Sequence, residues 1–228
     1  MLALASQREA VASLREQLRA PQGSERPVFF SVLDCLIPDG IRRGSLVECL
    51  SEDGCGAVAL SLVMAGRACS EGRSLVVIDR SRRFYSPAAA PLGVDFNTIL
   101  VRPQTRKDEL WALNQALRCR GVGAVVGWPN KLDDRSFRML QLAAESSGSV
   151  GFFVQPVGLR GHPSWSEVQL LVEAHKSGKH RRLRIEVVRC RAGNLGASVV
   201  VELDDATGFM RVATELAAPT SKTRPTRA

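Results

Sequence analysis

Between Leu46 and Val154 the chain alternates short apolar runs with helical stretches, and this alternation limits the fold more than any other feature. The runs Leu46–Leu50, Ser74–Asp79 (SLVVID), Ala124–Trp128 (AVVGW) and Val150–Val154 (VGFFV) read as strands. Ala57–Cys69, Asp108–Arg118 and Asp133–Ser146 read as helices. The second takes its apolar positions from Trp111, Leu113, Ala116 and Leu117, the third from Phe137, Leu140, Leu142 and Ala144. Strands with no polar face, separated by helices of roughly 10–15 residues, predict a parallel sheet covered on both sides. The end of the chain changes character. Leu183–Cys190 (LRIEVVRC) and Ala197–Leu203 (ASVVVEL) flank the turn-like Arg191-Ala192-Gly193-Asn194 and predict an antiparallel pair added to the sheet edge. The class is α/β: a mainly parallel sheet flanked by helices, with a late antiparallel strand pair.

The ends read differently from the middle. Residues 1–20 predict an amphipathic helix, with Leu2, Val11, Leu14 and Leu18 at near-helical spacing and Arg8, Glu9, Arg15, Glu16 and Arg19 between them. Residues 21–28, with the Pro/Gly/Ser-rich PQGSERP, form a linker, so the helix lies outside the core domain of residues 29–213. Its stripe must be buried, on its own domain or on another subunit, and the first is the commoner outcome. Residues 214–228, ending in PTSKTRPTRA, predict a disordered basic tail. With 228 residues, 45% of them hydrophobic, the chain can form one good-sized domain. No apolar run is long enough to span a membrane and no signal peptide opens the chain, which predicts a soluble, cytoplasmic protein. The six cysteines are scattered without a C-x-x-C, which favours buried thiols over disulfides or zinc. A net charge of +8 suits an acidic partner such as nucleic acid, though many basic proteins bind none.

The strand ending at Leu50 runs into SEDGCGAV and then a helix. That is where a phosphate-binding loop sits in the pattern G-x-x-x-x-G-K-[ST]. The spacing is kept and the residue types are not. Ser51 stands for the first Gly, Gly56 for the second, Ala57 for the Lys and Val58 for the Ser/Thr. Gly54 and Gly56 leave backbone N–H groups near a helix N-terminus, where an anion can bind. Glu52 and Asp53 put negative charge beside them. A turn without nucleotide chemistry is the reading preferred over a residual anion site formed by Ser51, Gly54, Gly56, Ala57 and Val58.

The segment Ile78-Asp79-Arg80-Ser81-Arg82-Arg83-Phe84-Tyr85, running to Leu92-Gly93-Val94-Asp95, resembles in spacing the RecA recombinase segment between an Ile-Asp strand end and a Leu-Gly-Val-Asp. The unit GSLVECLSEDGCGAVAL lies upstream as that resemblance requires, Phe30 to Gly44 looks like the entry to the first strand, and LRIEVVRC with ASVVVEL resembles the late paired strands. The likeness covers roughly residues 29–210. Within it, Phe84-Tyr85-x-Pro87, Leu92-Gly93-Val94-Asp95, Val101-Arg102-Pro103, Glu109-Leu110-Trp111-Ala112, Gln115-Ala116-Leu117-Arg118 and Gly121-Val122-Gly123-Ala124-Val125-Val126 are similar to the ImuA family. These are RecA-like proteins of error-prone translesion synthesis, whose annotation overlaps with SulA-like cell-division inhibitors.

The resemblance implies where a RecA-type ATPase would hold its chemistry. The Lys and Ser/Thr positions are Ala57 and Val58. The metal-associated Asp falls on Gly127 or Trp128, with no carboxylate before Asp133. The water-activating Glu is Ser81. With all three groups gone the expectation is a pseudo-ATPase with no cofactor and no metal. The implied function is an accessory role in damage-induced (SOS) translesion synthesis. The implied partners are the Y-family polymerase-like ImuB protein, an error-prone DNA polymerase III alpha-type subunit and RecA. The alternative is a SulA-type inhibitor of the tubulin-like division protein. The three histidines, His162, His175 and His180, and the adjacent pairs Asp133-Asp134 and Asp204-Asp205 have neither the spacing nor the setting of a catalytic or metal site. Asp133 reads as a helix cap.

Two basic groups suit an acidic partner or weak DNA contact: Arg80, Arg82 and Arg83 after the second strand, and Lys176, Lys179, Arg181, Arg182 and Arg184. The bland alternative for both is a solvated face. The segments matching the RecA DNA loops are Pro129–Asp134 and the Gly/Pro-rich Gln155–Ser166. In the second, Trp165 is expected to be buried under a helix starting near Ser166.

Overall fold

A computed structural model describes residues 27–217, apart from 31, 70–71, 93, 95–96, 163, 176–180, 192–193, 205–206 and 208. The expected N-terminal helix, most of the linker and residues 218–228 of the tail therefore lie outside the described residues.

One sheet of nine strands organises the chain. In chain order its elements are β1 (Leu46–Ser51), α1 (Ala57–Ala68), β2 (Ser74–Ile78), the one-turn α2 (Ser86–Ala89), β3 (Thr98–Val101), α3 (Arg106–Arg118), β4 (Val122–Gly127), α4 (Asp134–Ser147) and β5 (Val150–Pro156). Four more strands follow: β6 (Val168–His175), β7 (Arg181–Cys190), β8 (Ser198–Leu203) and β9 (Met210–Ala217). The spatial order is β3-β2-β4-β5-β1-β6-β7-β8-β9. The strands from β3 to β6 are parallel, and β7, β8 and β9 then add antiparallel to one another.

The two-residue period of a strand divides the apolar residues between two cores. Val47 and Cys49 of β1, Val77 of β2, Val126 of β4 and Phe152 of β5 face α1 and the turn-rich segment around Leu33, Leu36 and Ile37. Leu46, Val76, Val125 and Phe153 face the other way, onto Leu113 and Leu117 of α3 and Phe137 and Leu140 of α4. Phe137 and Phe153 meet edge to face at 6.4 Å. The helices begin where their sequences supply caps. The Thr105 hydroxyl accepts the Asp108 N–H at 3.1 Å, and the Asp133 carboxylate accepts the Ser136 N–H at 2.7 Å. Gly148, at φ 74°, ends α4 in the left-handed conformation.

Several boundaries differ from expectation. The antiparallel addition has three strands, not a pair. Ala197–Leu203 is not the sheet edge, because β9 lies outside β8. Residues 168–175 form a strand rather than a helix, so nothing covers Trp165, which is 52% exposed. Val28 bridges to Ile41, placing the last linker residue in the domain. β9 runs to Ala217, four residues into the segment expected to be tail. Of the six free cysteines only Cys49 is fully buried, and Cys119 is exposed. Burial pushes the Cys49 thiol up to about 12, so it stays protonated at neutral pH. Among the described residues, no helix is long and apolar enough to cross a membrane.

Candidate functional site

The loop after β1 sits at the carboxyl end of the parallel strands, where ligands bind in open α/β sheets. Gly54 and Gly56 adopt φ 80° and 93°, and Gly56 is the N-cap of α1. They are not equivalent. A Cβ on Gly56 would lie 2.4 Å from the Leu183 Cδ2, whereas one on Gly54 would meet nothing within 4 Å. Close packing against β7 therefore shapes the second glycine as much as its backbone does. Ala57 is buried in the core beneath α1, and Val58 packs partly against that core. Neither carries a polar side chain into the loop. Ser51 is buried, while Glu52, Asp53 and Gly54 stand in solvent.

β2 delivers Asp79 to the same end of the sheet, fully buried. Its carboxylate accepts the N–H groups of Arg83 at 2.8 Å and Phe84 at 3.0 Å, so it organises the turn that carries the three arginines. Within that turn Arg82 adopts φ 55°. Each arginine then goes a separate way. Arg80 turns toward α3, where its Nε donates to the buried Glu109 carboxylate at 2.8 Å. Arg83 crosses to the first loop and meets both carboxylate oxygens of Asp53, at 2.8 and 3.4 Å. Arg82 stays exposed. Sequence reasoning found both Asp53 and Arg83 but not their pairing, because contacts across 30 positions leave no local pattern.

Between these parts lies a cleft of about 370 Å³, lined among others by Ser51, Asp53, Arg80, Arg83, Trp128 and Asn130. Trp128 is buried at the end of β4, and its Nε1–H has no partner. The position two residues after Asp79 is the exposed Ser81. The cleft thus contains arginines already joined to carboxylates of this chain. Among the described residues no group of three His, Cys, Asp or Glu side chains could hold a metal ion.

The second basic cluster is only partly described, since Lys176 and Lys179 lie outside the described residues. Arg181, Arg182 and Arg184 open β7. Leu183, Ile185 and Val187 point into the core, while Arg182, Arg184 and Glu186 alternate with them on the outer face. Carboxylates answer the cations there. Arg182 pairs with Glu202 at 3.0 Å, Arg184 with Glu173 at 3.1 Å and Glu186 at 3.6 Å, and Arg160 with Glu186 at 2.6 Å. Arg211 also holds Glu202, and hydrogen bonds from Arg211 and then Arg182 keep that carboxyl below its ordinary range. Among the described residues the two basic clusters meet only in part: Arg83 and Arg181 line one pocket of about 550 Å³ with Phe84, Tyr85 and Leu92, while Arg182 and Arg184 lie on the outer face of the sheet extension.

The segment from Gln155 to Ser166 is tied down by a residue not singled out from the sequence. Glu48, buried in the middle of β1, accepts hydrogen bonds from Ser164 (2.6 Å), Ser166 (2.9 Å) and Gln169 (2.9 Å). Arg160 to Glu186 and Arg189 to the Ser164 carbonyl add two more ties. The signal was present as one acid within the apolar run LVECL.

Among solved structures, the chain is similar to the crystal structure of the RadB recombinase. The TM-score is 0.63 at 13% identity, over 78% of this chain and 95% of that one. The fold is RecA-like. No protein-family model and no curated protein matches the sequence. At this identity the likeness describes the fold alone.

Proposed function

We propose that the chain is a non-hydrolysing RecA-like accessory factor of damage-induced, error-prone translesion DNA synthesis. It acts through protein–protein contacts with a Y-family polymerase-like protein and an error-prone polymerase III alpha-type subunit, and RecA is a further candidate partner. The observation that carries the loss of hydrolysis is the residue set at the first loop and the strand ends after it, where none of the three groups that phosphoryl transfer needs is present. Ala57, at the Lys position, is buried, Val58 stands at the Ser/Thr position, Gly127 or Trp128 at the metal-ligand position and Ser81 at the base position. Phosphoryl transfer needs charge placed on the phosphates and the metal, and this arrangement supplies neither. The assignment to translesion synthesis rests on the ordered ImuA-like segments between Phe84 and Val126.

Two measurements test the reading. Purified full-length protein is expected to turn over Mg²⁺-ATP no faster than the Ser51→Ala/Gly56→Ala double variant, and a faster rate overturns the pseudo-ATPase assignment. In the native host, removing the gene is expected to lower damage-induced mutation frequency while damaged cells still filament. Unchanged mutation with lost filamentation would instead identify a division inhibitor of the SulA type.

A further inference from the structure

The pocket that Arg83 and Arg181 share is a trough between α1 and the segment after β2. At about 550 Å³ it is larger than the cleft, and most of its lining residues are apolar. Leu62 of α1 and Leu92 are buried beneath it, while Tyr85 and Pro87 stand exposed at its edge, Tyr85 at 68%. Among the described residues, the charged lining consists of the two arginines. Asp53 answers Arg83 at 2.8 Å, and Arg181 is engaged as well. The charge in the trough is therefore met within the chain, and what is left to cover is apolar.

The chain has an apolar stripe in need of such a place. Val11, Leu14 and Leu18 recur at i, i+3 and i+7 of the expected N-terminal helix, with Glu9 and Glu16 on its opposite side. The described structure begins on the face that carries the trough. Val28 belongs to the same core as Ala59, Leu62, Phe84 and Leu92, so the preceding segment has no need to cross the sheet. Val28 pairs with Ile41 near the amino end of β1, and the trough opens at the carboxyl end, beside the first turn of α1. The six residues of β1 between those ends measure about 20 Å. Residues 19–27 span up to about 30 Å when extended, so the tether is long enough.

We infer that residues 1–20 fold back as a helix onto the α1 side of their own domain and lay Val11, Leu14 and Leu18 in this trough, covering Tyr85. A short tether holds the segment at an effective concentration of about millimolar, far above that of a second copy carrying the same stripe. An acidic partner gains no advantage there, because both arginines are already engaged. The helix is then a built-in cover: a partner that uses this face has first to displace it. The inference draws on nothing in the translesion reading, so either can fail alone.

Tyr85 is the one tyrosine of the sequence, so its nitration reads the trough directly. Full-length protein is treated with tetranitromethane under native conditions, and nitrotyrosine is followed by mass spectrometry. The wild type is expected to react at least tenfold more slowly than Leu14→Asp/Leu18→Asp, at every protein concentration. Cys49, sealed in the core, should stay unlabelled by iodoacetamide in both, which shows that the domain is folded. Equal nitration rates overturn the inference. So does protection that fades on dilution, which would make a second copy the occupant. A photo-crosslinking benzoylphenylalanine at Ala88, in the wall of the trough, gives an independent reading. Its main adduct is expected within residues 1–20 of the same chain. An adduct elsewhere in the chain or to another molecule, or no adduct, overturns the inference.

Discussion

Gly56 and Gly54 share a backbone conformation but not an environment, and their substitution costs should separate. Gly56→Ala must bear a left-handed alanine, about 1–2 kcal/mol, together with an overlap on Leu183 of the kind that costs about 1–3 kcal/mol. Gly54→Ala bears only the first. Urea unfolding of both variants should place Gly56→Ala clearly below Gly54→Ala, and equal midpoints would show that β7 yields to the added methyl. Glu202 offers a second test at this scale. Arg211 and Arg182 hold its pKa below the ordinary 4.5. A group depressed in the folded state contributes stability above its unfolded pKa and loses it as pH falls through the folded value. Wild-type stability should therefore drop as pH falls below about 4.5, with Glu202 contributing to the slope. Glu202→Gln should be less stable at neutral pH and show a shallower decline. Parallel acid titrations followed by circular dichroism would read both.

Among the elements, the 156–166 segment depends most on one side chain. Glu48→Ala strips the partner from Ser164, Ser166 and Gln169 at once and opens a buried space. Unpaired buried polar groups cost about 1–3 kcal/mol each, and refilling by solvent recovers part of this. A loss of about 2–4 kcal/mol is expected, together with faster tryptic cleavage at Arg160. Glu48→Gln, which keeps an acceptor oxygen, should lose less. This element also marks the limit of what the sequence shows. The strands β1, β2, β4 and β5 and the helices α1, α3 and α4 are legible because their apolar periodicity is local and strong; the one-turn α2 is not, being too short to show a period. β6 is not, because Gln169 and Glu173 interrupt it and the preceding Pro/Gly/Ser stretch looks like a lead into a helix. β3, with four residues, is too short to stand out from its loop. At the candidate site the missing Lys, Asp and Glu can be read directly. The Asp53–Arg83 and Arg80–Glu109 pairs cannot, since each joins residues from separate elements.

The whole molecule has an uneven build. From β2 to β5 and β1 the sheet is covered on both faces, with two separate cores. From β7 onward the side opposite the larger core carries paired Arg and Glu side chains instead of a helix. Amide exchange should follow that division, slowest in β1, β4 and β5 and faster in β8 and β9, since opening free energy tracks buried apolar contact. Uniform protection across the nine strands would contradict it. The three tryptophans happen to divide along the same lines. Trp128 lines the cleft and is buried, Trp111 stands exposed on α3, and Trp165 sits on the segment that Glu48 secures. The protein therefore carries an intrinsic optical reporter in each of three separate regions. Acrylamide should quench two of the three emitters readily. Replacing any two indoles by phenylalanine leaves a single lamp whose wavelength reports events in the cleft, on the outer face of α3 or along the tethered loop.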